Sequence, residues 1–138
     1  MAKRIITKQT INILSRYAEK LKENLDDLKE PLVIEISGTP RSGKSLSIES
    51  LRAFFDDNKI NVAIVPEQAS FCPIPEKSDY FFNIWTGCQT LSKFVDYLRN
   101  QNNYKYDVIL LNRGIFDILV WLNFHNNALT YNVDLVQV

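Results

Sequence analysis

The chain has no charge of either sign to spare: 16 basic residues balance 16 acidic ones over 138 positions. That balance leaves no large net field to draw nucleic acid or an anionic membrane surface, so neither is expected as a partner. Cysteine is scarce. Cys72 and Cys88 have no metal-ligand spacing, and two free thiols suit a reducing, cytoplasmic setting. No apolar run approaches the length of a membrane span. The basic start, Met1-Ala2-Lys3-Arg4, is not followed by an uninterrupted apolar core, so a secretory signal is not expected. Histidine occurs once, as His125 at the end of an apolar segment. No carboxylate or nucleophile motif accompanies it, which favours a polar helix-end residue over a catalytic base. There is no internal repeat and no low-complexity tract.

What is present is a core and one sharp motif. The chain is 46% hydrophobic and 12% aromatic, enough to fill a single domain of this length. Gly38-Thr39-Pro40-Arg41-Ser42-Gly43-Lys44-Ser45 satisfies G-x-x-x-x-G-K-[ST] at every fixed position. Each fixed residue has a physical task. The glycines let the backbone curl so that N–H groups point at phosphate oxygens. Lys44 reaches the β- and γ-phosphates, and the Ser45 hydroxyl is a ligand for Mg²⁺. Pro40 lacks an N–H, so the donors are expected from residues 41–46, ending at Leu46, with the positive end of the next helix behind them.

The motif sits in the context that gives it meaning. Residues 32–37 read as an apolar strand and 46–55 as a helix. Before them, residues 5–29 carry Ile11, Leu14, Tyr17, Ala18, Leu21, Leu25 and Leu28 at helical spacing, with Thr7 or Thr10 as a cap and Pro31 as the stop. Residues 60–65 form a second β-branched apolar run. Residues 66–79, with Pro66, Pro73 and Pro75, read as a long loop, and loops of this length inside compact domains usually serve function. Residues 80–85 are aromatic and ambiguous. Residues 86–99 read as a helix, 106–111 as a third buried strand, 115–124 as a strongly apolar helix and 131–138 as a fourth strand.

Strands alternating with helices predict an α/β three-layer sandwich with a parallel sheet, preceded by an N-terminal amphipathic helix over residues 1–30, with the core in 31–138. Ligands of such sheets bind at the carboxyl ends of the strands. Residues 38–45, 66–68 and 112–114 all fall at such ends, which predicts one shared site.

Each of these ends carries usable chemistry. Arg41 is placed to stabilise charge on a transferred group, against the plainer reading of a solvated arginine. Glu67 is placed to take a proton from a substrate hydroxyl, and Gln68 to hydrogen-bond a polar substrate. Arg113 is placed to pair with Glu67 or grip a phosphate. Asn112 stands where a metal-holding strand usually ends in Asp; it keeps one oxygen and loses the charge. Phe71, Tyr80, Phe81 and Phe82 flank the loop, and one of them is a candidate to stack on a base. Gln89 faces either an acceptor or solvent. Trp85 and Trp121 are expected in the core, and Cys72 has no basic neighbour in sequence to activate it.

The glycine loop, Pro66-Glu67 after the second strand and Asn112-Arg113-Gly114 after the third together resemble the P-loop nucleoside and nucleotide kinases, thymidylate kinase-like members above all. The resemblance covers residues 32–138. It implies the P-loop NTPase fold, ATP and Mg²⁺, and a small phosphate acceptor, with Lys44, Arg41, Glu67 and Arg113 in catalysis and Ser45 with Asn112 at the metal. Two features depart from the family pattern. Asn112 replaces the acid of an Asp-Arg or Glu-Arg pair, and no arginine-bearing lid follows residue 114. A truncated or degenerate member, binding nucleotide without turnover, is the alternative these departures imply; an ATP-hydrolysing switch ranks last, because Arg113-Gly114 occupies the place of a water-positioning residue. The sequence leaves ATP against GTP, the acceptor's identity and an oligomer open.

Overall fold

The computed structural model describes residues 8–99 and 105–124. Its elements are α1 (Lys8–Asp26), β1 (Leu32–Ile36), α2 (Lys44–Asp57), β2 (Val62–Val65), α3 (Tyr80–Arg99), β3 (Val108–Asn112) and α4 (residues 115–124), with a single 3-10 turn at Gln68–Phe71. Among the described residues the sheet is three-stranded and wholly parallel, in the order β1-β3-β2. The last of these three strands in sequence is therefore the central one. Its four apolar residues, Val108 to Leu111, are buried on both faces, which explains why 108–111 reads as an unbroken apolar run instead of an alternating one.

Side chains alternate across the pleat and divide the core in two. Val108 and Leu110, with Leu32, Ile34 and Ile36 of β1 and Val62 and Ile64 of β2, pack against Ile48, Leu51, Phe54 and Phe55 of α2 and Leu21 and Leu25 of α1. Ile109 and Leu111, with Ala63 and Val65 of β2, pack against Phe94, Tyr97 and Leu98 of α3 and against Tyr106. Helices thus cover both faces. α4 lies beside α3: a Cβ on Gly87 would come within 3.0 Å of Ile118.

Several sequence expectations shift. α3 begins at Tyr80, so the ambiguous aromatic segment 80–85 is the start of that helix. Its first turn is held by Asp79, whose Oδ1 accepts from the Phe81 N–H at 2.8 Å. In α1 only the C-terminal part of the apolar stripe is buried, through Ala18 and Leu25, while Leu14 and Tyr17 are exposed. Thr10 lies inside α1 and is not its cap; Thr7, His125 and the expected strand 131–138 fall outside the described residues. No helix among the described residues is long and apolar enough to cross a membrane.

Candidate functional site

Register brings the strand ends together. Ile36 pairs with Asn112, and Val65 with Leu111, so Ser37-Gly38, Pro66-Glu67 and Arg113-Gly114 leave the sheet at one edge. α2 leaves β1 toward one face, and α4 leaves β3 toward the face that α3 covers. Chains that diverge in this way open a crevice at the carboxyl ends of the strands. A cavity of about 540 Å³ occupies it, within the usual range for a small-molecule site.

One wall is the loop that precedes α2. Gly43, the residue before the helix, sits at φ 89°, ψ 11°, and no atom lies within 4 Å of where its Cβ would be. The constraint there is therefore conformational, not steric crowding, and it favours glycine. Arg41 is also left-handed, at φ 64°. The first intrahelical bond of α2 is from the Ser47 N–H to Gly43 O, at 3.0 Å. The N–H groups ahead of it, from Gly43 to Leu46, have no partner within the helix, as at every helix start. They border the cavity.

Lys44 is the buried member of this loop, at 8% exposure. Its Nζ donates to Gly38 O at 2.9 Å and to Thr39 O at 2.7 Å. The ammonium thus lies under the loop's own curl, held by two neutral carbonyls and no carboxylate. Gly38, Thr39, Pro40, Arg41, Ser42, Ser45 and Leu46 are exposed; of these Pro40, Arg41, Ser42, Ser45 and Leu46 line the cavity.

The opposite wall carries Glu67 and Arg113. Arg113 Nε lies 3.3 Å from Glu67 Oε1 and 3.9 Å from Asp117 Oδ2. At the same time Nε has no partner with hydrogen-bond geometry. The contact is therefore a charge contact without a directed bond. Two carboxylates flank one guanidinium, so this end is less cationic than the loop end, where Arg41 and Lys44 sit. Lys77, from the segment between β2 and α3, adds a further positive charge to the lining.

Asn83 on α3 is a site residue that sequence reading did not single out. It is 9% exposed, its Nδ2 is buried with no partner, and it lines the cavity beside Phe82. A buried, unpaired amide donor costs roughly 1–3 kcal/mol. An Asn three residues into an aromatic segment carries no local signal; only the phase of α3 turns it inward. Trp121, expected in the core, is 39% exposed and lines the cavity from α4. Of the four aromatic candidates for stacking, Phe82 alone lines the cavity; Phe71 and Phe81 are exposed, at 66% and 64%. Gln68 is buried, with Nε2 donating to Pro66 O at 2.7 Å, which ties it to its own loop. Gln89 is half-buried and does not reach the cavity lining. Cys72 and Cys88 are free thiols.

Asn112 ends β3 with its Oδ1 buried and unpaired. Among the described residues no group of three or more His, Cys, Asp or Glu could hold a metal ion. Compared with known proteins, the chain matches no family model, no curated sequence and no solved structure.

Proposed function

We propose that the chain binds a nucleoside triphosphate, ATP by its resemblance to the P-loop kinases, on the loop 38–46, and transfers the terminal phosphoryl group to a small, nucleoside-like acceptor. The observation that carries this reading is the convergence in one cavity of unpaired helix-start N–H groups, the Lys44 ammonium and the Glu67–Arg113 pair. The strand order, with the first strand beside a central third strand, supports a P-loop type of sheet.

In this mechanism the N–H groups of residues 43–46 and Lys44 cradle the phosphate tail. The acceptor lies across Phe82 and Trp121, with the Asn83 amide donating to one of its oxygens. Glu67 takes the proton of the attacking hydroxyl as the oxygen–phosphorus bond forms. The bond from the γ-phosphorus to its bridging oxygen breaks, and the electron pair leaves with the diphosphate. Arg113 and Arg41 neutralise charge on the moving group. Ser45, on the cavity wall, would hold a Mg²⁺, with the buried, unpaired Asn112 Oδ1 behind the lining as a further oxygen, and that ion would supply charge neutralisation on the phosphates.

Incubation with MgATP and a panel of nucleosides, followed by ³¹P NMR, tests the proposal. Acceptor-dependent diphosphate formation is expected, reduced about 10²-fold or more in Glu67→Gln with nucleotide binding retained. The neutral Asn112 favours a second reading, a nucleotide-binding module without turnover. Tight ATP binding with no transfer to any acceptor would select that reading, and absence of nucleotide binding would refute both.

A further inference from the structure

α4 starts in an unusual way. Its first intrahelical bond runs from the Ile118 N–H to Gly114 O, at 3.3 Å, so Gly114 occupies the capping position and has no side chain to cap with. The cap comes from another strand. Glu35, the last but one residue of β1, accepts from the Phe116 N–H through Oε2 at 3.2 Å and from the Asp117 N–H through Oε1 at 3.1 Å. The Ser37 hydroxyl also donates to Oε1, at 2.7 Å, and orients the carboxylate. Glu35 pairs with Leu111 in register, so its side chain reaches past the end of β3 to the helix start. A larger residue at 114 would displace the carboxylate: a Cβ there would lie 2.5 Å from Glu35 Oε2 and 2.6 Å from its carboxyl carbon.

This clamp encloses the turn that carries Arg113. The Arg113 N–H donates to Ile36 O at 3.2 Å, and its backbone is left-handed at φ 60°. Asp117, whose amide Glu35 holds, places its carboxylate 3.9 Å from Arg113 Nε. One carboxylate on β1, three residues before the glycine loop, therefore fixes both the helix start beyond Arg113 and the acid that flanks it. Both carboxylate oxygens are engaged, so Glu35 is not free to meet substrate.

We infer that Glu35 is a positioning residue: by capping α4 from β1 it sets Arg113 in the cavity wall and Asp117 beside it. The catalytic consequence rests on the phosphoryl-transfer reading above; the placement itself does not. The experiment follows the Arg113 ¹⁵Nε resonance and the Phe116 and Asp117 amides by NMR in the full chain, alongside ATP affinity and acceptor-dependent turnover. In Glu35→Ala and Gly114→Ala the two amide protons should move upfield and the Arg113 resonance should shift or broaden. ATP affinity should stay within about threefold, while kcat falls about tenfold or more, as misplacement of a charged group predicts. A general loss of folding would lower nucleotide affinity and kcat together. If either variant fails to fold, Ser37→Ala, which removes only the orienting hydroxyl, should move the same signals by a smaller amount. An unchanged Arg113 resonance in the folded variants would overturn the positioning role, and so would wild-type turnover. If the wild-type protein transfers no phosphoryl group, the proposed function falls, and the Arg113 resonance still decides the role of Glu35.

Discussion

Lys44→Met separates two jobs of one side chain. In the structure the ammonium makes two hydrogen bonds to Gly38 O and Thr39 O, at 2.9 and 2.7 Å, and its stem is buried. Methionine keeps most of the stem's apolar contact and removes the charge and the donors. Both carbonyls belong to exposed residues, so water can replace the lost donors. The net cost to folding should be about 2 kcal/mol, about 1 kcal/mol for each of the two hydrogen bonds exchanged with solvent. The cost to binding should be far larger. A unit charge about 4 Å from a phosphate charge, at an effective dielectric near 20, contributes about 4 kcal/mol. That corresponds to about a thousandfold in dissociation constant. No carboxylate among the described residues holds Lys44, so under the proposed function the ammonium would turn to a phosphate without first breaking an ion pair. Urea denaturation and calorimetric titration with ATP, run on both proteins, measure the two terms separately. Nucleotide affinity within about threefold of wild type would refute the assigned role. A stability loss above about 3 kcal/mol would show instead that the lysine is a structural strut.

Gly43→Ala should destabilise by about 1–2 kcal/mol, because φ 89° is costly for any residue with a Cβ although open space surrounds it; an unchanged urea midpoint would show that the loop relaxes without strain. Asn83→Leu removes an unpaired buried donor, so stability should hold or rise by about 1 kcal/mol while kcat/KM for the acceptor falls. Unaltered acceptor kinetics would exclude Asn83 from the site. Leu110→Ala, in the fully buried central strand, should cost roughly 3–5 kcal/mol in chemical denaturation; a loss under 1 kcal/mol would place β3 elsewhere than the centre.

Much of the local architecture is legible in the chain because it rests on local physics. Apolar runs mark the three strands, helical spacing marks α1 and α2, and Asn112-Arg113-Gly114 marks the end of a strand. The glycine loop is legible for the same reason: Gly43 answers a backbone demand at its own position, and Lys44 follows it directly. Aromatic residues 80–85 stayed ambiguous because ring-rich segments suit helix and strand alike, and the Asp79 cap that starts α3 is a weak signal in sequence.

What the sequence determined by itself was the three described strands, most of the helical segments and the glycine-bearing loop before α2, since all depend on residues within a few positions of one another. Only the tertiary structure decided that β3 is central, that Asn83 and Trp121 turn toward a cavity, and that Glu35 caps a helix some eighty residues away. These outcomes depend on strand register and on the rotation of packed helices. A glutamate inside an apolar strand looks the same in sequence whether it meets water or the start of α4; the side chain's partner is set by which strand comes to lie beside it.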